Sequence, residues 1–101
     1  MKFYVLCDIE GVASLSCWDE ARSANSCYAP MAREMTLEAA AAARGLFSAG
    51  ADEVIIEDGH GDGCNIDCAL LPKGARLLRG VTHDIVGLTG IFDESYDGML
   101  M

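Results

Sequence analysis

Basic side chains are scarce in this chain: 7 Lys and Arg stand against 16 Asp and Glu, a net charge of −9. Nucleic acids and anionic membrane surfaces both require a positive footprint, so neither is expected as a partner. No apolar run comes near the roughly 20 residues that a membrane-spanning helix needs. The opening Met1-Lys2-Phe3-Tyr4-Val5-Leu6-Cys7 is also too short for a signal-peptide core, and no small-residue cleavage site comes after it. A cytoplasmic location is therefore expected. Five cysteines, Cys7, Cys17, Cys27, Cys64 and Cys68, form an odd set. Without a secretion signal they read as reduced thiols rather than a disulfide framework. Internal repeats and low-complexity linkers are missing too. The alanine run Ala39 to Ala43 sits in a helix-like stretch and has a packing explanation.

What is present suits a small globular unit. Hydrophobic residues make up 51% of the 101 positions and charged residues 23%, which excludes a disordered chain and allows one domain with a real core. The acidic excess makes carboxylate ligands plentiful without showing that any of them binds a metal.

Phe3 to Cys7 is a continuous apolar run of strand length that stops at Asp8 and Gly11. Continuous rather than alternating hydrophobicity marks a strand covered on both faces, as in a parallel sheet. Leu15 to Ala29 shows no steady period and reads as a long loop with one short helical turn; Trp18 and Tyr28 flank it and are assigned to packing. Pro30 to Ala49 reads as a helix, with Pro30 at its first position, where the missing N–H is not needed. Met31, Met35, Ala39, Ala42 and Leu46 form its apolar stripe, and Gly50 stops it. Val54-Ile55-Ile56 is a second buried strand, ending at Glu57 and Asp58. The loop Gly59-His60-Gly61-Asp62-Gly63 comes next. Arg76 to Leu78 is a third strand, Thr82 to Leu88 a short helix beginning near His83, and Gly98 to Met101 the opening of a fourth strand. This order predicts an α/β fold, a three-layer arrangement of a mostly parallel sheet with flanking helices, apparently truncated.

In such sheets ligands bind beyond the carboxyl ends of the strands. Asp8 and Glu10 stand two residues apart at the end of the first strand, and in extended backbone i and i+2 share a side. Two carboxylates held close repel each other unless a proton or a cation offsets them. His60, at the end of the neighbouring strand, faces the same crevice, and carboxylates with an imidazole suit zinc or manganese. Acidic residues after a strand are also what a solvated loop provides, and a His between glycines also fits a plain turn. Three other readings compete. His60, Cys64 and Cys68 would share a face if their segment were helical, but Gly61 and Gly63 argue against a helix there. Gly59, Gly61 and Gly63 match neither G-x-G-x-x-G nor a phosphate loop ending in Lys. Finally, the chain could be a non-catalytic module, left by truncation, that binds a metal or offers its acidic edge to a basic partner.

Several segments in order resemble the zinc-dependent D-aminopeptidase family of the DppA type. They are Asp8-Ile9-Glu10-Gly11-Val12, the helical Ala32-Arg33-Glu34-Met35-Thr36-Leu37-Glu38, and Ala49-Gly50-Ala51-Asp52-Glu53-Val54 leading into Glu57-Asp58-Gly59-His60-Gly61 and Asn65. Leu71-Pro72 with Ala75 to Gly80, and Phe92-Asp93-Glu94-Ser95-Tyr96-Asp97, complete the match. The resemblance implies residues 1–101 to be the N-terminal part of a single α/β metallopeptidase domain with a two-zinc site, in which manganese could replace zinc. It implies that Asp8 bridges both metals and that Glu10 and His60 complete the ligands of one. The second metal's His and Glu, and a His placed for catalysis, have no counterparts here, so no catalytic residue is assigned; the family's Gly-Tyr-His segment would begin just past Met101. The implied substrate is a short peptide with an N-terminal D-amino acid, the implied assembly a homo-oligomer. The 101-residue chain alone is expected to be inactive.

Overall fold

The computed structural model describes residues 1–80 and 91–101. The expected helix over Thr82 to Leu88, and His83 with it, lie outside the described residues. Four strands, β1 (Lys2–Cys7), β2 (Glu53–Asp58), β3 (Arg76–Leu78) and β4 (Gly98–Leu100), form one all-parallel sheet in the order β3-β2-β1-β4. One helix, α1 (Tyr28–Ser48), connects β1 to β2.

The apolar run of β1 is buried on both faces, as its continuity requires. Val5 and the half-buried Cys7 join the core under α1, whereas Tyr4 points to the other side and meets Phe92 and Tyr96 edge-on, each at 5.5 Å between ring centres. β2 is more deeply set: Val54, Ile55, Ile56, Glu57 and Asp58 are all buried. Ala32, Met35, Thr36, Ala39, Ala40 and Ala43 form the buried face of α1. Small side chains at four of these six positions let the helix axis approach the sheet closely.

The helix departs from the expected bounds in two ways. It begins at Tyr28, two residues before Pro30. Pro30 thus falls inside the first turn, where N–H groups still lack an intrahelical acceptor, so it does no harm there. The buried stripe is also turned: Met31, Ala42 and Leu46 only flank it, half-buried. At the far end Gly50 takes φ +95, its N–H bonds to the Phe47 carbonyl at 3.0 Å, and Ala51 reaches Leu46 at 3.0 Å. These are the two bonds of a glycine-terminated helix stop.

Register decides what lies at the sheet's working edge. Lys2 pairs with Glu53 and the ladder ends with Cys7 opposite Asp58. Gly59 then donates its N–H to the Cys7 carbonyl at 2.8 Å, so the two chains leave the sheet side by side. A Cβ on Gly59 would stand 2.9 Å from Leu6 Cδ1 and 3.0 Å from the Cys7 carbonyl oxygen. The backbone atom cannot swing aside as a side chain can. Gly59→Ala is expected to cost about 1–3 kcal/mol, the usual range for overpacking, measured by denaturant unfolding of the metal-free chain. An unchanged midpoint would show that the two strand ends are not held this closely.

Candidate metal centre

Asp8 leaves β1 in extended backbone, and the chain then closes a single 3₁₀ turn over Ile9–Gly11. Gly11 N donates to the Asp8 carbonyl at 3.0 Å and Val12 N to that of Ile9 at 3.1 Å. Ile9 is wholly buried in the core, so its neighbours are turned outward: the Asp8 side chain is 58% exposed and that of Glu10 39%. This corrects the expected route to the pair. The two carboxylates converge because a tight turn is pinned by a buried isoleucine, not because an extended strand repeats every second residue.

His60 is placed by a buried carboxylate. Asp58, 1% exposed, accepts Asn65 N at 2.6 Å, Asn65 Nδ2 at 2.7 Å and Ile66 N at 2.7 Å. Three N–H donors satisfy a charge that would otherwise be costly to bury. Between Asp58 and Asn65 the chain reverses through Gly61 and Gly63, at φ +57 and +69, a region open to glycine and strained for other residues. The loop delivers the His60 ring among three partners. Nδ1 lies 3.0 Å from Asp8 Oδ1 and 3.1 Å from Glu10 Oε2, while Nε2 lies 2.7 Å from the Ala21 carbonyl.

That geometry assigns the protons. A carbonyl only accepts, so Nε2 carries the hydrogen. In the neutral ring the Nδ1 lone pair then faces two carboxylate oxygens, an arrangement that repels until a proton or a cation stands between them. The three donor atoms lie within 4.8 Å of one another. Two carboxylates and an imidazole whose far nitrogen is anchored to a carbonyl are a fitting donor set for zinc or manganese. Among the described residues no other group of His, Cys, Asp and Glu converges this way. Cys64 and Cys68 are exposed and outside the cluster, which removes the thiol reading. Cys7 is no competitor, because burial, reinforced by the Asp58, Glu38 and Asp8 carboxylates, pushes its thiol up to about 12, out of reach of neutral pH.

One part of the site had no advance signal. The Ala21 carbonyl belongs to the 3₁₀ turn Trp18–Ala21, held because Glu20 Oε2 accepts Ser16 N at 2.8 Å, Ser16 Oγ at 3.0 Å and Cys17 N at 3.3 Å. A main-chain acceptor in an aperiodic loop leaves no mark in the residue pattern. Trp18, expected to pack, is instead 66% exposed, whereas Tyr28 is half-buried against the core.

The family model Peptidase_M55, D-aminopeptidase, matches residues 1–101. The chain belongs to the D-aminopeptidase family. Among solved structures it is similar to the Zn-dependent D-aminopeptidase DppA from Bacillus subtilis, a self-compartmentalizing protease, with a TM-score of 0.89 and 27% sequence identity. The similarity covers 98% of this chain and 36% of that one. No curated protein sequence matches the chain. The α/β fold expected from the sequence is thus the one found in the family.

The cluster's titration separates binding from stability. Burial lowers the His60 pKa, but the Ala21 carbonyl and the Asp8 and Glu10 carboxylates outweigh it, and the net value rises above 6.5. The ring therefore contributes stability that is fully present below about pH 6.5 and fades as pH climbs through the raised value. Glu10 is raised above 4.5, first by the Asp8 carboxylate within hydrogen-bonding reach and then by burial, against its own backbone N–H and the nearby His60. An acid so shifted loses stability for the fold as it ionises. In the metal-free chain, Glu10→Gln should match the parent near pH 4 and melt higher at pH 7, while zinc binding weakens by about tenfold or more. His60→Gln should cost less stability at alkaline than at acidic pH. Calorimetry across pH, paired with zinc titration, checks both, and a Glu10→Gln chain that melts lower at pH 7 would contradict the repulsion.

Proposed function

We propose that this chain contributes one side of a two-zinc site in a metal-dependent aminopeptidase that hydrolyses short peptides bearing an N-terminal D-amino acid. The observation that carries the reading is the convergence of Asp8, Glu10 and His60 at the carboxyl ends of β1 and β2, in a chain matched throughout by the D-aminopeptidase family. The neighbour's zinc dependence points to zinc.

Glu10 and His60 would hold one ion, with Nδ1 as the imidazole donor. Asp8, the most exposed of the three, would bridge to a second ion whose remaining ligands come from other residues. A bound zinc ion supplies Lewis acidity for the attack of water on a peptide carbonyl. The chain's own groups prepare for that chemistry. The Ala21 carbonyl keeps the proton on Nε2 and leaves Nδ1 free to ligate. Ile9 and Asp58, both buried, hold the two ligand-bearing segments from below. The net charge of −9 favours a substrate with a cationic free amino terminus. No helix among the described residues is long and apolar enough to cross a membrane; a cytoplasmic location remains part of the proposal. Assembly as a homo-oligomer is proposed from the neighbour's description as self-compartmentalizing.

Zinc at 100 times its dissociation constant should add about 2.7 kcal/mol of stability, a shift of about 10 °C or more for a domain of this size. Asp8→Ala and His60→Ala should abolish that shift. The 101-residue polypeptide is expected to bind zinc yet leave D-alanyl peptides essentially uncut, while the whole protein cleaves the D- in preference to the L-isomer. Calorimetry, metal content and hydrolysis of both isomers decide it. Stability indifferent to zinc and to chelators would favour a non-catalytic acidic module instead.

A further inference from the structure

His60 sits in a loop whose own residues do little to fix its backbone. Glycines stand on both sides of it, Gly59 and Gly61, with Gly63 just beyond, and glycine leaves the backbone conformationally free. A metal ligand, by contrast, must be held to within about half an ångström of its working position. The loop's hydrogen bonds show where the missing rigidity comes from. The His60 carbonyl accepts Gly63 N at 2.9 Å and also the side-chain Nδ2 of Asn65. The same Nδ2 donates to Asp58 Oδ1 at 2.7 Å, and Asn65 N to Asp58 Oδ2 at 2.6 Å. Asn65 Oδ1 in turn accepts the Tyr28 hydroxyl. One amide therefore joins the His60 main chain to the buried Asp58 and, through Tyr28, to the first turn of α1.

The arrangement has a single sense. With its oxygen toward Tyr28 and its nitrogen toward two acceptors, every partner of the Asn65 amide is matched. Flipped, the amide oxygen would face the Asp58 carboxylate and the His60 carbonyl, both acceptors. Those two acceptors set the sense of the amide, and the Tyr28 hydroxyl, donating to the oxygen they leave on the other side, holds it there.

We infer that Asn65 is a positioning residue for His60, and that Tyr28 holds the Asn65 amide, so that the metal-facing Nδ1 is set by α1 and not by the loop itself. The inference rests on the metal-site reading proposed above. Ala21 fixes the rotation of the ring, while Asn65 fixes the main chain that carries it; losing either leaves Nδ1 free to drift from Asp8 and Glu10. Aspartate cannot replace Asn65. It would withdraw both Nδ2 donors and set a second carboxylate against Asp58.

The test uses the full chain with Tyr28→Phe, Asn65→Ala and Asn65→Asp, and Leu77→Ala as a control that removes a half-buried core side chain from β3. Zinc affinity is measured by competition with a chromophoric chelator, and thermal stability on the metal-free protein. Tyr28→Phe keeps the ring and deletes one hydrogen bond, so it should melt close to the parent yet bind zinc about tenfold more weakly. Both Asn65 variants should bind more weakly still, whereas Leu77→Ala should lose melting temperature and keep its zinc affinity. Zinc affinity unchanged in Tyr28→Phe and Asn65→Ala, or lost in Leu77→Ala in proportion to stability, overturns the inference. A parent chain that binds no zinc overturns the metal reading, and the positioning is then decided on the metal-free protein by the exchange rate of the His60 Nε2 proton in NMR. Faster exchange in Asn65→Ala and Tyr28→Phe supports it; equal exchange overturns it.

Discussion

Cys7 and Asp58 lie opposite each other at the end of the β1–β2 ladder, and Gly59 closes that end by donating its N–H to the Cys7 carbonyl. Because the strands run parallel and in this register, the residues just past them emerge on the same edge, a few ångströms apart. Everything chemical in the molecule depends on that. A slip of one residue would turn every side chain of β2 to the opposite face, setting Ile55 and Glu57 where Val54 and Ile56 pack in the core and driving Asp58 away from the donors that satisfy it. The hydrophobic cost of the slip is what keeps Asp8 and His60 within reach of each other.

The cluster so formed works against the fold. Two carboxylates and a lone pair crowd one point, and Glu10 responds by holding its proton above the usual carboxylate range. A structure selected for stability alone would replace one of the three. A proton offsets the repulsion, and a cation between the same three atoms would offset it in the same way. Rules of local consistency are commonly broken at functional positions and compensated elsewhere. Here the compensation is visible in Ile9, Asp58 and the Glu20-capped turn, which are fully satisfied and flank the strained centre.

Much of this is legible in residue order. The continuous apolar runs at Phe3 and Val54 specify buried parallel strands, and both are present. Gly50 ends α1 as its position implies, and Arg76 to Leu78 form the third strand expected. The bounds of α1 are less legible at its start, since Pro30 is tolerated anywhere in a first turn and so marks a region rather than a residue. Its buried stripe differs from the expected one because alanines populate nearly every face from Ala39 to Ala43. When all candidates are alike, only the sheet opposite decides which are covered. Trp18 misleads for a related reason, as its size speaks for burial but its turn projects it into solvent.

The residue types alone determined that Asp8, Glu10 and His60 would stand at strand ends, since the hydrophobic runs that precede them can only be buried and the polar, glycine-rich segments beyond those runs must leave the sheet. They also carried the resemblance to the D-aminopeptidase family, to which the chain belongs. The sequence could not say how the three converge. That was decided in three dimensions, by a buried Ile9 that turns its neighbours outward, by a main-chain carbonyl 39 residues away that fixes the imidazole tautomer, and by an asparagine amide that ties a glycine-rich loop to a buried carboxylate. The first two act through contacts between segments distant along the chain, and the last two turn on hydrogen bonds whose partners the residue pattern does not specify.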